Sequence, residues 1–481
     1  MPEKLEWAGQ FQIDKAEIFT SGGTKIPIDK NIIKITIYEN MERAMITGEC
    51  SFHDQASFST IGPMTGQEFF KLIIKTPKLP NGKESTIDFS ENVLHIYSLH
   101  KLNIGTSSEV VQFKFISGEY IKNNRLRISE KLEGSPDSIV HDMLGRVECR
   151  KDKYIESSAD NKKILAPNIR PFNVIRMLVR QARSSRDVAP NFSFWESLKG
   201  YHFRSLDSCY LSPRIWHYVT KPKGSEAQSG GRRNLISELQ TIDSYNMNWN
   251  NLVEDTRNGI LASELLVHDI TKKSYSTHLY NYLNSHQSER KVDGGYPIYS
   301  ESPISEEGKQ RISDIQGRIM LKPNATLPFG IRAGRDSQHL SKNGLSIYEP
   351  YAPEKWLQRR ASQLNQFKKG LALTIMVPGN TVVSCGDMIK VTLPHQAEVK
   401  EVNAPKWDKF FSGSFLIKNI KHEFVLATFE HTMKMALYKD TVSQELPKNT
   451  ESYEPQPDKT GELYTKLYDD EVVNQLEDFY L

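Results

Sequence analysis

The chain has 481 residues, a length suited to roughly three domains, with 38% apolar and 25% charged residues. Its 62 Lys and Arg against 59 Asp and Glu leave a formal charge of +3, which excludes a generally basic surface for nucleic acid or anionic membrane. Twenty-one Phe, 20 Tyr and 6 Trp, together with many Ile, Val and Thr, favour strands over helices.

Cys50, Cys149, Cys209 and Cys385 are far apart in sequence, so no close pair exists for zinc or redox chemistry, and they read as isolated core thiols. The N-terminus lacks the apolar run of a signal peptide, and no stretch approaches the roughly 18 apolar residues of a membrane span. These features predict assembly in a reducing cytoplasm, with no membrane partner.

In chain order, period-2 segments at Asn31–Tyr38, Phe69–Ile74, Val93–Leu102 and Val110–Ser117 predict strands of a β-barrel or sandwich. In the last of these, Val111, Phe113 and Phe115 share one face and Gln112, Lys114 and Ile116 the other. Near residue 126 the period changes. Ser135-Pro136-Asp137 starts a helix that carries Ile139, Val140, Met143 and Leu144 inward, and a second helix follows Pro171. Asn191 to Arg204 reads as a hairpin, and 221–233 as a flexible polar loop. Leu235–Ile242 and Gly259–Ile270 read as strands, and 281–350 as a loop-rich insertion. A helix is predicted over Pro353–Lys369, with Trp356, Leu357, Leu364 and Phe367 inward and Gly370 as its stop. Strands then follow at Leu371–Val377, Met388–Leu393, Phe415–His422 and Phe429–Leu437, the first of them ending in a turn at Pro378-Gly379-Asn380.

The most informative pattern is an internal echo. Leu94, Ile96, Leu99 and Leu102, followed by Val111, Phe113 and Phe115, match Phe415, Ile417 and Ile420, followed by Phe429, Met433 and Met435. Both alternate, break register at an i+3 step and return as a second alternating strand. Two copies of one barrel are one reading of this pattern, and the general likeness of β-hairpins is the other.

The usual spacings of catalytic groups are missing. There is no phosphate-binding glycine loop and no nucleophile elbow. His422-Glu423 opens like a zinc-protease motif, but Leu426 stands where the second His is required. His53-Asp54, His141-Asp142 and His268-Asp269 are adjacent pairs whose side chains point apart on strands and helices. Glu306-Glu307 and Asp469-Asp470 read as solvated acids, and Arg176, Arg180, Arg183 and Arg186 as a solvated helix face. No catalytic residue, cofactor or metal is expected.

Several segments together resemble the baseplate hub family of contractile-tailed, T4-like bacteriophages. They are Asn191-Phe192-Ser193-Phe194-Trp195-Glu196-Ser197-Leu198-Lys199-Gly200 and on to Leu206, Asn258 to Asp269, Trp356 to Val391, and the closing hairpin Phe415 to Leu437. None of these strings is a catalytic motif. The resemblance implies an α+β fold with two tail-tube-like antiparallel β-barrel domains and inserted smaller α/β domains. It implies a homotrimer in the virion tail baseplate, where 3 × 2 = 6 like units join a six-fold tail tube to a three-fold cell-puncturing spike. Partners would be a separate spike protein, tail-tube or tube-initiator proteins, and baseplate wedge and tape-measure proteins, with DNA only as transiting cargo. The alternatives are the hub of a type VI secretion-like or bacteriocin injection machine, or a tail-associated peptidoglycan hydrolase. The hydrolase would need two acids facing each other across a cleft.

On this reading 1–125 is the first barrel, 126–232 a mixed α/β peripheral domain, and 233–280 with 353–440 the second barrel. Residues 281–352 are a loop-rich insert and 441–481 an acidic tail. Exposed barrel edges carrying Phe113 and Phe115, or Phe415 and Ile417, are the expected subunit contacts. From Thr441 onward three lysines face ten acids, a charge of −7. Val472, Val473, Leu476, Phe479 and Tyr480 fall on one face of a terminal helix. That helix either docks on the spike or a neighbouring subunit through Leu476 and Phe479, or belongs to a disordered terminus.

Overall fold

Among the described residues, alternating apolar residues build eight strands before residue 118: β1 (Gln12–Phe19), β2 (Lys25–Pro27), β3 (Ile32–Asn40), β4 (Thr47–Asp54), β5 (Phe69–Thr76), β6 (Ser85–Asp88), β7 (Leu94–Ile104) and β8 (Ser108–Ser117). The computed structural model describes residues 5–54, 64–77, 85–104, 108–159, 161–220, 235–248, 250–270, 273–299, 311–324, 339–342, 345–348, 353–394, 407–408 and 410–444. The architecture is α+β and mainly antiparallel sheet. The first eight strands pair in the order β3-β4-β8-β7-β5-β1-β2, with β6 also on β5. Each sends side chains into one cluster: Ile18, Ile26, Ile35, Phe52, Phe70, Ile87, Ile96 and Phe113 come from β1 to β8 in turn. Phe70 meets Phe113 edge to face at 5.1 Å, and each such fully buried ring contributes about 1.5–3 kcal/mol.

The change of fold falls at Ser117, eight residues before the expected boundary, because the helix Gly118–Arg125 starts directly at the end of β8. Its Tyr120 packs on a second core with Phe172, Phe194 and Tyr201. That core lies among the helices Pro136–Arg146 and Pro171–Val179 and the strands β9 (Ile128–Gly134), β10 (Lys153–Ile155), β11 (Lys162–Ile169), β12 (Phe192–Ser197) and β13 (Gly200–Ser205). The hairpin read from Asn191 to Arg204 is β12–β13, in register from Phe192 opposite Ser205 to Ser197 opposite Gly200. Ser135 precedes its helix as expected, with Pro136 in the first turn, but its side chain caps nothing. Asp137 instead accepts from the Ser158 amide at 3.1 Å, while its own amide donates to Ser158 Oγ at 2.9 Å.

The second half contains β14 (Arg214–Val219), β15 (Ser244–Asn248), β16 (Ala262–Asp269), β17 (Ser274–Asn281), β18 (Tyr296–Pro297), β19 (Arg318–Asn324), β20 (His339–Lys342), β21 (Leu345–Tyr348), β22 (Ala372–Pro378), β23 (Met388–Thr392), β24 (Gly413–Val425), β25 (Glu430–Tyr438) and β26 (Thr441–Val442). Its main sheet runs β15-β22-β25-β24-β23-β14 around Tyr218, Ile375, Ile389, Phe415 and Met435. Two sequence expectations change here. Leu235–Leu239 is helical, which turns Leu239 onto Leu5. The strand read at Gly259–Ile270 is β16, which pairs with β17 and β19 in a separate three-stranded sheet. Alternation defines a strand's faces but not its partner, so it could not tell these sheets apart.

The two main sheets share one strand order. β3-β4-β8-β7-β5 and β15-β22-β25-β24-β23 follow the chain in the same sequence, and every neighbouring pair in both is antiparallel. The likeness ends one strand further on, where β1 is antiparallel to β5 but β14 is parallel to β23. The i+3 step of the sequence echo is a β-bulge in both hairpins. Register shifts between Ile96 and Ser98 against β8, and between Ile417 and Asn419 against β25.

The helix Leu357–Lys369 lies in the predicted place, but its buried stripe is mostly amide and hydroxyl. Gln358, Ser362, Gln363 and Gln366 are buried beside Phe367, while Leu357 and Leu364 are only partly covered. Gln358 Nε2 donates to the Ser263 carbonyl at 2.9 Å, and Ser362 Oγ to the Ile260 carbonyl at 2.7 Å. Gln358, Ser362 and Gln363 therefore tie the helix to its surroundings through hydrogen bonds.

Candidate functional site

The two main sheets are one continuous sheet, and the join is made by β24. The first residues of this 13-residue strand pair with β23, and Asn419–Val425 pair with β3 of the first sheet, from Asn419 opposite Asn40 to Val425 opposite Lys34. The bulge at Lys418 separates the two stretches. Ile420 accordingly packs in the second core and Phe424 in the first, where it meets Phe11 edge to face at 5.1 Å.

A buried polar network lies under the join. Glu39 Oε1 is 3.0 Å from His422 Nε2, and His422 Nδ1 is 3.2 Å from His431 Nε2. Glu39 Oε2 accepts from Ser384 Oγ at 2.6 Å and from the Leu198 amide at 3.0 Å. Burial alone would raise the Glu39 carboxyl, but the hydrogen bonds and charge it meets hold it below the ordinary value. Burial, and then the neighbouring His422, hold His431 well below the ordinary imidazole value. All three side chains are inaccessible to solvent, so the cluster joins strands and cannot meet a substrate.

Two glycines make room for His431. Gly9, at φ +82°, has its carbonyl bound by the His431 amide at 2.7 Å, and a Cβ on Gly379 would lie 2.0 Å from the His431 ring. Gly379→Ala is expected to destabilise the subunit by about 1–3 kcal/mol through overpacking, read as a lower urea midpoint. An unchanged midpoint would show that the ring is free to move.

At the join, the opposite face of the sheet is polar. Across the join, Thr432, Glu423, Thr36, Glu49 and Lys114 form one row, and Lys434, Lys421, Tyr38 and Thr47 another. Charges pair off along it. Lys114 meets Glu49 at 3.5 Å, Lys421 meets Glu423 at 2.7 Å, and Lys34 also binds Glu423. Glu423 thereby raises the Lys421 ammonium, which offsets the repulsion of Lys434 directly opposite. A groove of about 800 Å3 opens on this face between Tyr38, Arg43, Tyr97 and Tyr120.

The residues proposed from sequence as subunit contacts are placed differently. Phe113 and Phe115 are fully buried in the first core, and Phe415 and Ile417 in the second. β8 lies between β4 and β7, so its phenylalanines face inward from a paired strand and present no adhesive edge. Leu476 and Phe479 lie outside the described residues, as do 221–234, Glu306-Glu307, Asp469-Asp470 and the acidic tail from residue 445 onward.

His141 and Asp142 are both exposed on the helix Pro136–Arg146, and the two His–Asp pairs on strands behave as strand geometry requires. His53 and His268 are exposed while Asp54 and Asp269 are buried on the other face. His422 points inward and Glu423 outward on β24. Among the described residues, no group of three or more His, Cys, Asp or Glu could hold a metal ion. All four cysteines are buried free thiols, and burial pushes Cys149 and Cys209 up to about 11. The Glu39–His422–His431 network was not legible in the sequence, because Glu39 and His422 are 383 positions apart and no local pattern joins them.

No protein-family model matches the chain, and no curated protein sequence does. Among solved structures, a tail protein from Neisseria meningitidis MC58 superposes with a TM-score of 0.49 at 10% identity, covering 90% of this chain and 98% of that one. The 43 kDa tail protein of prophage MuSo2 from Shewanella oneidensis superposes with a TM-score of 0.47 at 8% identity, covering 89% and 99%. The phage P2 baseplate in its activated conformation gives 0.30 at 9% identity, covering 91% and 100%. These three structural neighbours are phage tail and baseplate proteins, and a Francisella PdpA-VgrG complex and an E. coli component of the type VI secretion system match as well.

Proposed function

We propose that this chain is a structural, non-enzymatic hub of a contractile-tail baseplate, acting as a trimer that adapts a six-fold tube to a three-fold spike. The observation that carries this reading is the repeated strand order β3-β4-β8-β7-β5 and β15-β22-β25-β24-β23 within one continuous sheet. A chain with two like units can meet six-fold symmetry on one side as a pseudo-hexamer while keeping three-fold symmetry on the other. Each main sheet sends side chains from all its strands into a single core, and on this reading each is one tube-like barrel. The α/β region from 118 to about 212 is the peripheral decoration, and β16, β17 and β19 form a further inserted layer.

The polar face across the join would line the passage. DNA is held by proteins that neutralise several phosphates at once, whereas Lys114 is paired with Glu49, and Lys34 and Lys421 share Glu423. A wall of that kind lets a polyanion pass without retaining it. The spike and the tube are the expected partners at the two ends of the ring.

Light scattering and cryo-electron microscopy of the isolated chain are expected to show a trimer with a central opening and six like lobes. A stable monomer at micromolar concentration, or a ring without six-fold pseudosymmetry, would reject the hub reading.

A further inference from the structure

The repeat carries a register as well as a topology. Leu99 opposite Phe113 in the first sheet corresponds to Ile420 opposite Met435 in the second, each just past its bulge. Cys50, opposite Phe113, then corresponds to Ile375, opposite Met435. One strand further out, Ile35 opposite Cys50 corresponds to Tyr245 opposite Ile375. Residues 98–104 of β7 are therefore the counterpart of 419–425 of β24, and β15 is the counterpart of β3.

In the second sheet the segment 419–425 is not an edge, because it forms the antiparallel join to β3. In the first sheet β7 pairs with β8 along its whole length, but among the described strands it meets β5 only at Leu94 and His95. Among the described strands, β15 ends its own sheet. Each chain thus makes one join internally and carries both halves of a second, one at each end of the repeat. Ser98 and His100 on β7, and Asn246 and Asn248 on β15, are exposed and bear no fixed charge, which suits strands that meet another strand after synthesis.

We propose that residues 98–104 of β7 pair antiparallel with β15 of a second copy of this chain, in the register of the β24–β3 join. The proposal rests on the hub reading and deepens it by naming the strands and the register. By the correspondence, His100 takes the place of Lys421, and Asn248 of the partner subunit takes the place of Tyr38, which stands opposite Lys421 in the internal join. The contact is head to tail, since the two strands come from different sheets. In a trimer it gives six equivalent joins, three within chains and three between them.

Cysteine pairing in the full-length chain tests the register. Directly opposed residues of antiparallel strands have Cα atoms about 4.5–5.5 Å apart, within reach of a disulfide. The four native cysteines are buried and do not compete. Under mild oxidation, a chain carrying His100→Cys and Asn248→Cys is expected to cross-link up to three copies and no further, at least about tenfold more than either single variant. The shifted pair His100→Cys with Ser244→Cys is expected to stay at the single-variant level. A mixture of the two single variants should give the cross-linked dimer, so the test survives any misfolding of the double variant. Trimers by light scattering without selective cross-linking at 100 and 248 would overturn this interface and leave the hub reading intact. Monomers in the unmodified protein would overturn both.

Discussion

Lowering the pH from 7.5 to 5 is expected to cost the subunit about 3 kcal/mol of stability net, through histidines that are buried neutral. Burial and then the charge of Arg204 push His202 down to about 3, and burial and then Lys291 push His286 down to about 4. His431 is held well below its ordinary value in the same sense. A folded-state value below the unfolded one of about 6.5 means that the unfolded chain takes up the proton first. The stability is thus complete above pH 6.5 and is lost as the pH falls toward the folded values. At pH 5 His202 and His286 each account for about 2 kcal/mol of loss, and His431 adds in the same sense. Asp440, raised by burial to about 6, binds its proton more readily in the folded state and offsets about 1 kcal/mol over this range. Asp207 and Asp387, also raised by burial, act in the same direction as Asp440. Urea midpoints measured across the pH range check the total. His202→Gln isolates one share, because an amide can keep the 2.8 Å contact with Ser197 Oγ without titrating. Its pH-dependent loss should be smaller than wild type by about 2 kcal/mol. Equal losses in the two proteins would show that His202 takes up no extra proton on unfolding.

Lys151→Met is expected to destabilise the subunit by about 3–5 kcal/mol at pH 7.5, because it leaves two buried carboxylates without their cation. Lys151 Nζ lies 2.7 Å from Glu119 Oε2 and 2.6 Å from Glu196 Oε1, with all three side chains at most 8% exposed. Burial alone would lower the ammonium, but the two carboxylates hold it above the ordinary lysine value. Glu196 also accepts from the Ile46 amide at 2.9 Å and from Ser117 Oγ at 2.7 Å, at the start of β4 and the end of β8. The triad therefore ties the first main sheet to the α/β region. Replacing all three charges, with Glu119→Gln and Glu196→Gln added, should recover most of the loss, because the amides need no counterion. A loss below about 1 kcal/mol would mean that water reaches the site.

Much of the local structure was legible in the sequence. The alternation of Val111, Phe113 and Phe115 marked the buried face of β8, and the i+3 steps at Ile96–Leu99 and Ile417–Ile420 marked the two bulges before any pairing was known. The helices after Ser135 and Pro171, and the one ending at Gly370, followed from first-turn prolines, the stop at Gly370 and apolar spacing. Where reading failed, burial by polar contact was the usual reason. The helix Leu357–Lys369 shows its Leu and Trp to a pattern search, yet its glutamines carry the contacts, because carbonyls of β16 and its neighbours need donors. Phe113, Phe115, Phe415 and Ile417 were read as apolar strand residues at adhesive edges, and their side chains lie in two cores on paired strands. Nothing in a strand's own sequence says whether its edges are already paired.

By itself, then, the sequence determined which residues face inward, where two hairpins break register and that these hairpins echo one another. These are properties of a backbone over a few residues, set by side-chain periodicity and by the extra residue of a bulge. Only the tertiary structure decided that β24 leaves one core for the next, that it carries His422 to Glu39 across 383 positions, and that the two main sheets share one strand order. Strand edges recognise one another through backbone amides and carbonyls that are alike at every residue. The choice among edges is therefore made by packing of the whole chain.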